Sequence, residues 1–340
     1  MSHTANRVGI WSLDHMHARS YLNAVCARDD LDEILLLEET NRDLAHQIAA
    51  QTGVSVASGP AEFLERVDAV IITSDNVHHA PLALAAARAG VHALVEKPLA
   101  TRIPDAVAMV EAYRQASLVL ATSFPCPFSP AFQALAARAR AGELGDVLAL
   151  RCTNRGTMPG GFFIERERSG GGAVIDHAVH VADLLRRITG RDPQRVYAEI
   201  GHGLYHQDWD DSGLLTIEMS GGTFSTLDCS WSRPGSFPTW GDVTIKLIGS
   251  EASATADLFG QRLEYYPAEP ARPKWIGWGS DLDALLIDDF LEAIRAGRQP
   301  VSSGEDGLWA LRVALAAYAS AQAGAPVDVL PGPAVDREGL

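Results

Sequence analysis

Two short stretches carry side chains that could move protons. Glu96-Lys97-Pro98-Leu99-Ala100 follows directly on the apolar run His92-Ala93-Leu94-Val95. A lysine at the carboxyl end of a buried strand stands where ligands bind in open α/β sheets. Pro98 ends the strand and fixes the chain direction, which aims Lys97 into a cleft. The second stretch runs from Gly170-Gly171-Gly172 to Leu185. Its glycines give a permissive loop and the remainder reads as a helix. Asp176 and His180 are four residues apart and share one face of it. Asp183 lies one turn beyond His180, where it could orient the ring, and His177 points about a quarter turn away from Asp176. A carboxylate and an imidazole on one helical face, near a lysine, suit proton transfer at a hydroxyl or carbonyl carbon. The plainer reading is a helix start capped by Asp176, with His180 packed.

These side chains need a scaffold, and the pattern supplies one. Apolar runs at 8–11, 33–37, 69–72, 92–95 and 118–121 alternate with helical spacing at 17–28, 41–51, 80–89 and 103–116. Such alternation with short connections predicts a doubly wound parallel sheet of the Rossmann type over residues 1–122. The Pro-rich stretch from Ser123 to Pro130 breaks the pattern. Beyond it, one helix (131–141) precedes strands at 147–153, 195–200, 213–219, 223–231, 242–248 and 253–257. Helices at 281–296 and 308–323 close the chain. Strands without intervening helices predict an α+β domain over 123–340 with a mainly antiparallel sheet.

Bulk properties narrow the function. The net charge of −15 argues against nucleic acid or an anionic membrane as partner. No apolar run is long enough to span a bilayer. The chain enters a strand almost at once, so no signal peptide is read and a cytoplasmic location is expected. Cys26, Cys126, Cys152 and Cys229 are scattered, as structural thiols in a reducing compartment are.

The chain resembles the Gfo/Idh/MocA family, named after glucose–fructose oxidoreductase and inositol dehydrogenase. The matching residues are Glu96-Lys97-Pro98, the run from Gly170 to His180, Gly142-Glu143-Leu144-Gly145-Asp146-Val147, and Ser302 to Leu308. The likeness spans almost the whole chain. It implies catalytic roles for Lys97, Asp176 and His180. The implied reaction is hydride transfer between NAD(P) and a secondary hydroxyl or ketone of a sugar, polyol or related small molecule. His180 would be the general base, and Lys97 would hold or polarise the reacting oxygen. The likeness also implies a homodimer or homotetramer, paired through an open sheet face.

The dinucleotide loop departs from the family. A G-x-G-x-x-G turn lets backbone N–H groups approach the pyrophosphate. Here the stretch is Ser12-Leu13-Asp14-His15-Met16-His17, and Asp14 adds negative charge. Ser12, Leu13 and Asp14 are the loop's cofactor-binding candidates. Glu38 and Glu39 end the second strand, with Glu39 in the family register for ribose hydroxyls. Carboxylates there favour NAD over NADP. Ser74, Asn76 and His79 fit the family's Thr-Pro-Asn-x-x-His spacing, and Glu96 completes the cofactor set. The departures allow a second reading. His15 and His17 form an HxH pair, and His78, His79, His177 and His180 could face the same cleft. Such groups can ligate a divalent metal, as in a metal-assisted lyase, hydratase or isomerase. No metal ligand is assigned under the main reading. Arg155 and Thr157 could contact substrate hydroxyls.

Overall fold

The computed structural model describes residues 5–266 and 274–329. The first sheet is built from β1 (Arg7–Trp11), β2 (Glu33–Leu37), β3 (Ser55–Val56), β4 (Ala69–Ile72), β5 (His92–Val95) and β6 (Leu120–Thr122). Its helices are α1 (Ala18–Cys26), α2 (Arg42–Thr52), α3 (Pro60–Arg66), α4 (His79–Arg88) and α5 (Ile103–Ala116). The strand order is β3-β2-β1-β4-β5-β6, all parallel. The order reverses between β1 and β4, which opens a crevice at their carboxyl ends. Both faces are covered, so residues of both parities are apolar. Val8, Ile10, Leu36, Ile71 and Leu94 point to one core. Trp11, Leu35, Leu37, Val70 and Val95 point to the other.

The second half contains α6 (Pro130–Arg140), β7 (Val147–Gly156), α7 (Arg166–Ser169) and α8 (Ala173–Thr189). Strands β8 (Pro193–Gly201), β9 (Ser212–Met219), β10 (Phe224–Ser230), β11 (Gly241–Gly249) and β12 (Ser253–Asp257) follow. A two-stranded ribbon, β13 (Arg262–Tyr265) with β14 (Lys274–Gly277), precedes α9 (Leu282–Ala296), α10 (Gly304–Ala323) and β15 (Val327–Asp328). The large sheet has the order β12-β11-β7-β10-β9-β8-β15. It is mixed: β10 lies parallel to β7, and the other pairings are antiparallel. Helix α8 covers its inner face, where Leu150, Cys152, Leu215, Leu227 and Val243 meet Val174, Ala178 and Val181. Helix α9 does not stay with this sheet. Its Leu286, Ile287, Phe290, Leu291 and Ile294 join the core of β1, β2, β4 and β5. Among the described residues no helix is long and apolar enough to cross a membrane.

The glycine run sets where α8 begins. A methyl group on Gly172 would stand 2.0 Å from the Asp210 carbonyl oxygen, and one on Gly171 would stand 2.2 Å from the Tyr318 hydroxyl. That closeness lets Asp210 accept from the N–H groups of Gly172 and Val174, both at 2.8 Å. These bonds satisfy orphan donors of the helix start. Gly172→Ala is therefore expected to push the first turn of α8 off this anchor. The cost should be about 1–3 kcal/mol by overpacking, read as a lower urea midpoint. A midpoint equal to the parent protein's would count against the anchoring role.

Candidate active site

Lys97 follows β5 and is buried, 3% exposed. Its Nζ donates to Asp176 Oδ1, on the first turn of α8. The other Asp176 oxygen accepts from the Trp231 indole N–H at 3.0 Å and lies 3.2 Å from His177 Nε2. Burial alone would raise the Asp176 carboxyl, but Lys97 and His177 hold it well below the usual carboxylate range. The carboxylate thus stays ionised and fixes the lysine's direction. His180, one turn further on, lines the same cavity as Lys97 and Asp176. Burial, with Lys97 adding to it, pushes this imidazole well below its usual value. His180 is accordingly neutral near pH 7 and can accept a proton. Lys97, Asp176 and His180 come together as their spacing requires. Asp183 does not orient His180. Its Oδ2 accepts from Arg187 Nε at 2.8 Å, four residues along the helix.

The cavity measures about 370 Å³ and is walled by Met16, Phe163, Val243, Trp240 and Phe259. It holds a residue that spacing did not reveal. Asn154, on the inward face of β7, is fully buried and neither of its amide heavy atoms has a partner. An unpaired buried amide facing a cavity is a ready donor and acceptor for hydroxyls. Its neighbour Arg155 points to the opposite face, where Nη2 lies 3.2 Å from Asp242 Oδ2. Trp231, just beyond β10, holds Asp176 through its indole N–H, a role that a tryptophan in an alternating run, which reads first as core, does not announce.

The crevice between β1 and β4 holds the other candidates. Ser12 has φ 74, a left-handed turn that glycine adopts without strain. Its Oγ accepts from Asp14 N at 3.2 Å. Leu13 N donates to Glu38 Oε2 at 2.7 Å, and His15 N donates to the Thr73 carbonyl at 2.9 Å. Several loop N–H groups therefore have partners inside the protein. Glu38 is buried here, while Glu39 is exposed at the end of β2. It is Glu38 that reaches the loop. Burial raises the Asp14 carboxyl, and Glu38 adds to the shift. Arg168 approaches from the second half of the chain, 2.6 Å from Asp75 Oδ2 and 3.6 Å from Asp14 Oδ2. Ser74 Oγ donates to the Asp75 carbonyl, and Asn76 Nδ2 donates to the Ser169 carbonyl at 2.8 Å. His79 bridges the carbonyls of Pro98, at 2.8 Å, and Ser74, at 3.2 Å. It braces the turn behind Lys97.

Glu96 is fully buried beside this crevice. Burial would raise its carboxyl, but His15 and His17 hold it below the usual range. Its Oε1 lies 2.9 Å from His17 Nδ1 and 3.4 Å from His15 Nδ1. Of the histidines that the HxH reading gathered, these two converge. His78 pairs with Asp75 at the surface.

A switch-point crevice beside a Lys–Asp–His cavity defines a dinucleotide-dependent oxidoreductase. Residues 8–124 match the oxidoreductase family with an NAD-binding Rossmann fold, and residues 132–255 match the GFO/IDH/MocA C-terminal domain. The chain belongs to the Gfo/Idh/MocA family. It is 28% identical over 320 residues to 1,5-anhydro-D-fructose reductase of Ensifer adhaerens, covering 88% of this chain and 92% of that one. It is 26% identical over 314 residues to myo-inositol 2-dehydrogenase of Thermotoga maritima, covering 85% and 90%. GenD2 of gentamicin A biosynthesis, solved with NAD, superposes with a TM-score of 0.85 at 25% identity over 96% of this chain and 97% of that one. Levoglucosan dehydrogenase, solved with NADH and levoglucosan, shares the fold with a TM-score of 0.83 at 22% identity over 95% and 99%. The two sequence relatives are a reductase and a dehydrogenase, which favours redox chemistry over the lyase reading.

NAD fits this chain despite the altered loop. Ser12 keeps the turn that a fingerprint glycine would make, and Glu38 at the end of β2 anchors that turn through Leu13 N. The α1 start has no side-chain cap, and Arg19 lines a cavity of about 340 Å³ above the loop. Ser12→Gly is expected to free Asp14 N–H as a donor while relieving the left-handed serine. NADH should bind about tenfold tighter, the worth of one hydrogen bond to a charged group. Unchanged or weaker NADH affinity by fluorescence titration would sink this reading of the loop.

Proposed function

We propose that the protein is an NAD-preferring dehydrogenase or reductase acting on a secondary hydroxyl or ketone of a sugar-like or cyclic polyol substrate. One observation carries the reading: an ionised Asp176, the Lys97 it holds and a neutral His180 share one small-molecule cavity. NAD, when bound, supplies the hydride acceptor. In oxidation His180 takes the hydroxyl proton as the carbon loses its hydride. Lys97 donates an N–H to the same oxygen and stabilises the charge that develops there. Asp176 keeps Lys97 in place, and Trp231 keeps Asp176 in place. Asn154 offers both sides of its amide to neighbouring hydroxyls. Phe163 and Trp240 exclude water. In reduction the proton moves from His180 to the alkoxide.

Glu38 supports NAD over NADP, because a 2′-phosphate would meet a carboxylate. Ser12, Leu13, Asp14, Asn76 and Glu96 border the same crevice, and Glu39 stands at its solvent edge. The exposed Tyr197, Leu214, Phe224 and Ile248 on the outer face of the large sheet support pairing between subunits. A homodimer or homotetramer in the cytoplasm is the expected form.

The test is titration of the purified protein with NADH and NADPH, then a panel of sugars and cyclic polyols with NAD. Saturable NADH binding and reduction of NAD by at least one polyol are expected. Absence of NADH binding at millimolar concentration would end the dehydrogenase reading.

A further inference from the structure

We propose that His15, His17 and Glu96 form a binding site for one divalent cation of the zinc class, open to the cavity that holds Lys97. Nothing in hydride transfer by Lys97 and His180 requires these two histidines. The three side chains come from two loops at the crevice: His15 and His17 precede α1, and Glu96 follows β5. One potential ligand atom from each lies within 4.8 Å of the others. Both Nδ1 atoms face the same carboxylate oxygen, at 2.9 and 3.4 Å. A tetrahedral cation with bonds of about 2.0–2.1 Å sets its ligands about 3.3–3.4 Å apart. Two of the three pairs, at 2.9 and 3.4 Å, thus stand near the spacing that a cation requires.

The donor chemistry agrees. His15 Nδ1 accepts the His17 backbone N–H at 3.1 Å, so that nitrogen carries no proton and keeps a lone pair able to ligate. The cation would replace this contact and the one between His17 Nδ1 and Glu96 Oε1. Glu96 Oε2 is anchored by the Lys97 backbone N–H at 2.9 Å, which leaves Oε1 for the cation. The Tyr21 hydroxyl lies 3.4 Å from His17 Nδ1, a longer contact that the cation would also replace. Two imidazoles and one carboxylate suit zinc and its neighbours rather than magnesium or calcium.

An ion pair between His17 and Glu96 is the competing account, and it leaves the His15 ring with the His17 backbone N–H as its one hydrogen-bond partner. The His15 ring is fully buried beneath Phe162 and Phe163, with centroids 6.0 and 5.2 Å away. Its Nε2 has no hydrogen-bond partner. An apolar side chain would fill that space without burying an unpaired nitrogen, so the imidazole needs another reason to be there. His17 is 31% exposed at its side chain and lines the reaction cavity. Three protein ligands with an open fourth position are the pattern of a reactive metal site, not a closed structural one. The cation would present that position to an oxygen in the cavity.

The experiment uses the full chain freed of metal with a chelator. It is titrated with Zn²⁺ by calorimetry and with Co²⁺ by visible absorption. One saturable site per chain is expected, with the visible bands of nitrogen- and oxygen-ligated cobalt. His17→Gln and Glu96→Gln should each weaken binding by at least about tenfold to a hundredfold, while His78→Gln, outside the group, binds as the parent does. No saturable binding by the parent protein overturns the proposal, whatever the variants do. Equal affinity in His17→Gln and His78→Gln overturns it too. NADH is titrated against the same samples. A protein that binds NADH but no cation refutes this site alone. One that binds the cation but not NADH refutes the dehydrogenase reading alone.

Discussion

Lys97→Met should abolish most turnover and destabilise the fold at once, because two separate debts of the site fall on one side chain. The lysine donates to the reacting oxygen, and loss of such a donor lowers kcat by about 10²–10³. It is also the cationic half of a buried pair, with the side chains of Lys97 and Asp176 4% and 6% exposed. Removing one partner of a buried pair costs about 3–5 kcal/mol, since the other charge stays behind without compensation. Trp231 and His177 remain near Asp176 but do not replace the ammonium. The second substitution separates the two effects. Lys97→Met with Asp176→Asn should recover most of the stability and none of the turnover. Urea denaturation and steady-state rates, measured on the parent and both variants, decide the matter. A single variant that unfolds at the parent's midpoint would remove the buried-pair argument. One that keeps turnover within about tenfold would remove the electrostatic one.

His180→Asn should be at least as damaging to the rate and nearly harmless to cofactor binding. A positioned general base contributes about 10²–10⁴-fold, and the dinucleotide crevice lies on other residues. NADH affinity should therefore stay at the parent's level while kcat falls. The pH profile gives a second readout. Burial, aided by Lys97, lowers the folded-state pKa of His180 below that of a free imidazole. A lowered value keeps the base unprotonated as pH falls through about 6.5, where an ordinary histidine would be half protonated. Oxidation should therefore hold its rate through that range and fall only in more acidic solution. A decline already centred at or above about 6.5 would show that the ring is not desolvated as described.

The reactive trio was legible because each member sits in a contiguous motif whose geometry is local. Lys97 follows a strand and precedes a proline, and Asp176 and His180 are one helical turn apart. Asn154 and Trp231 were not legible in this way. Strand alternation shows that both point inward, but not that a cavity lies there. That Glu38 folds back onto Leu13 while Glu39 stays exposed leaves no mark on periodicity. The Asp183–Arg187 bond did leave one, since the two residues are four apart on a helix. The two-domain plan followed from alternating elements. The parallel pairing of β10 with β7 did not, because a run of strands carries no record of which neighbours it will take. Ser12 shows the limit of motif matching: the turn survives with φ 74 although the glycine is gone.

Helix α9 has a bearing on how the protein is made. The ribosome delivers residues up to Thr122 well before it delivers Leu286, Ile287, Phe290, Leu291 and Ile294, yet these five close the core around Val8, Ile10, Leu36 and Ile71. Until they emerge, the nascent dinucleotide unit carries an open apolar flank, the kind of surface that recruits chaperones or self-associates. A polypeptide ending at residue 122 should consequently aggregate or bind a hydrophobic dye, and adding a synthetic 281–297 peptide should suppress both. A monomeric fragment that leaves the dye dark without the peptide would show that the unit matures alone. Premature termination anywhere before α9 would then yield not half a working enzyme but a substrate for quality control.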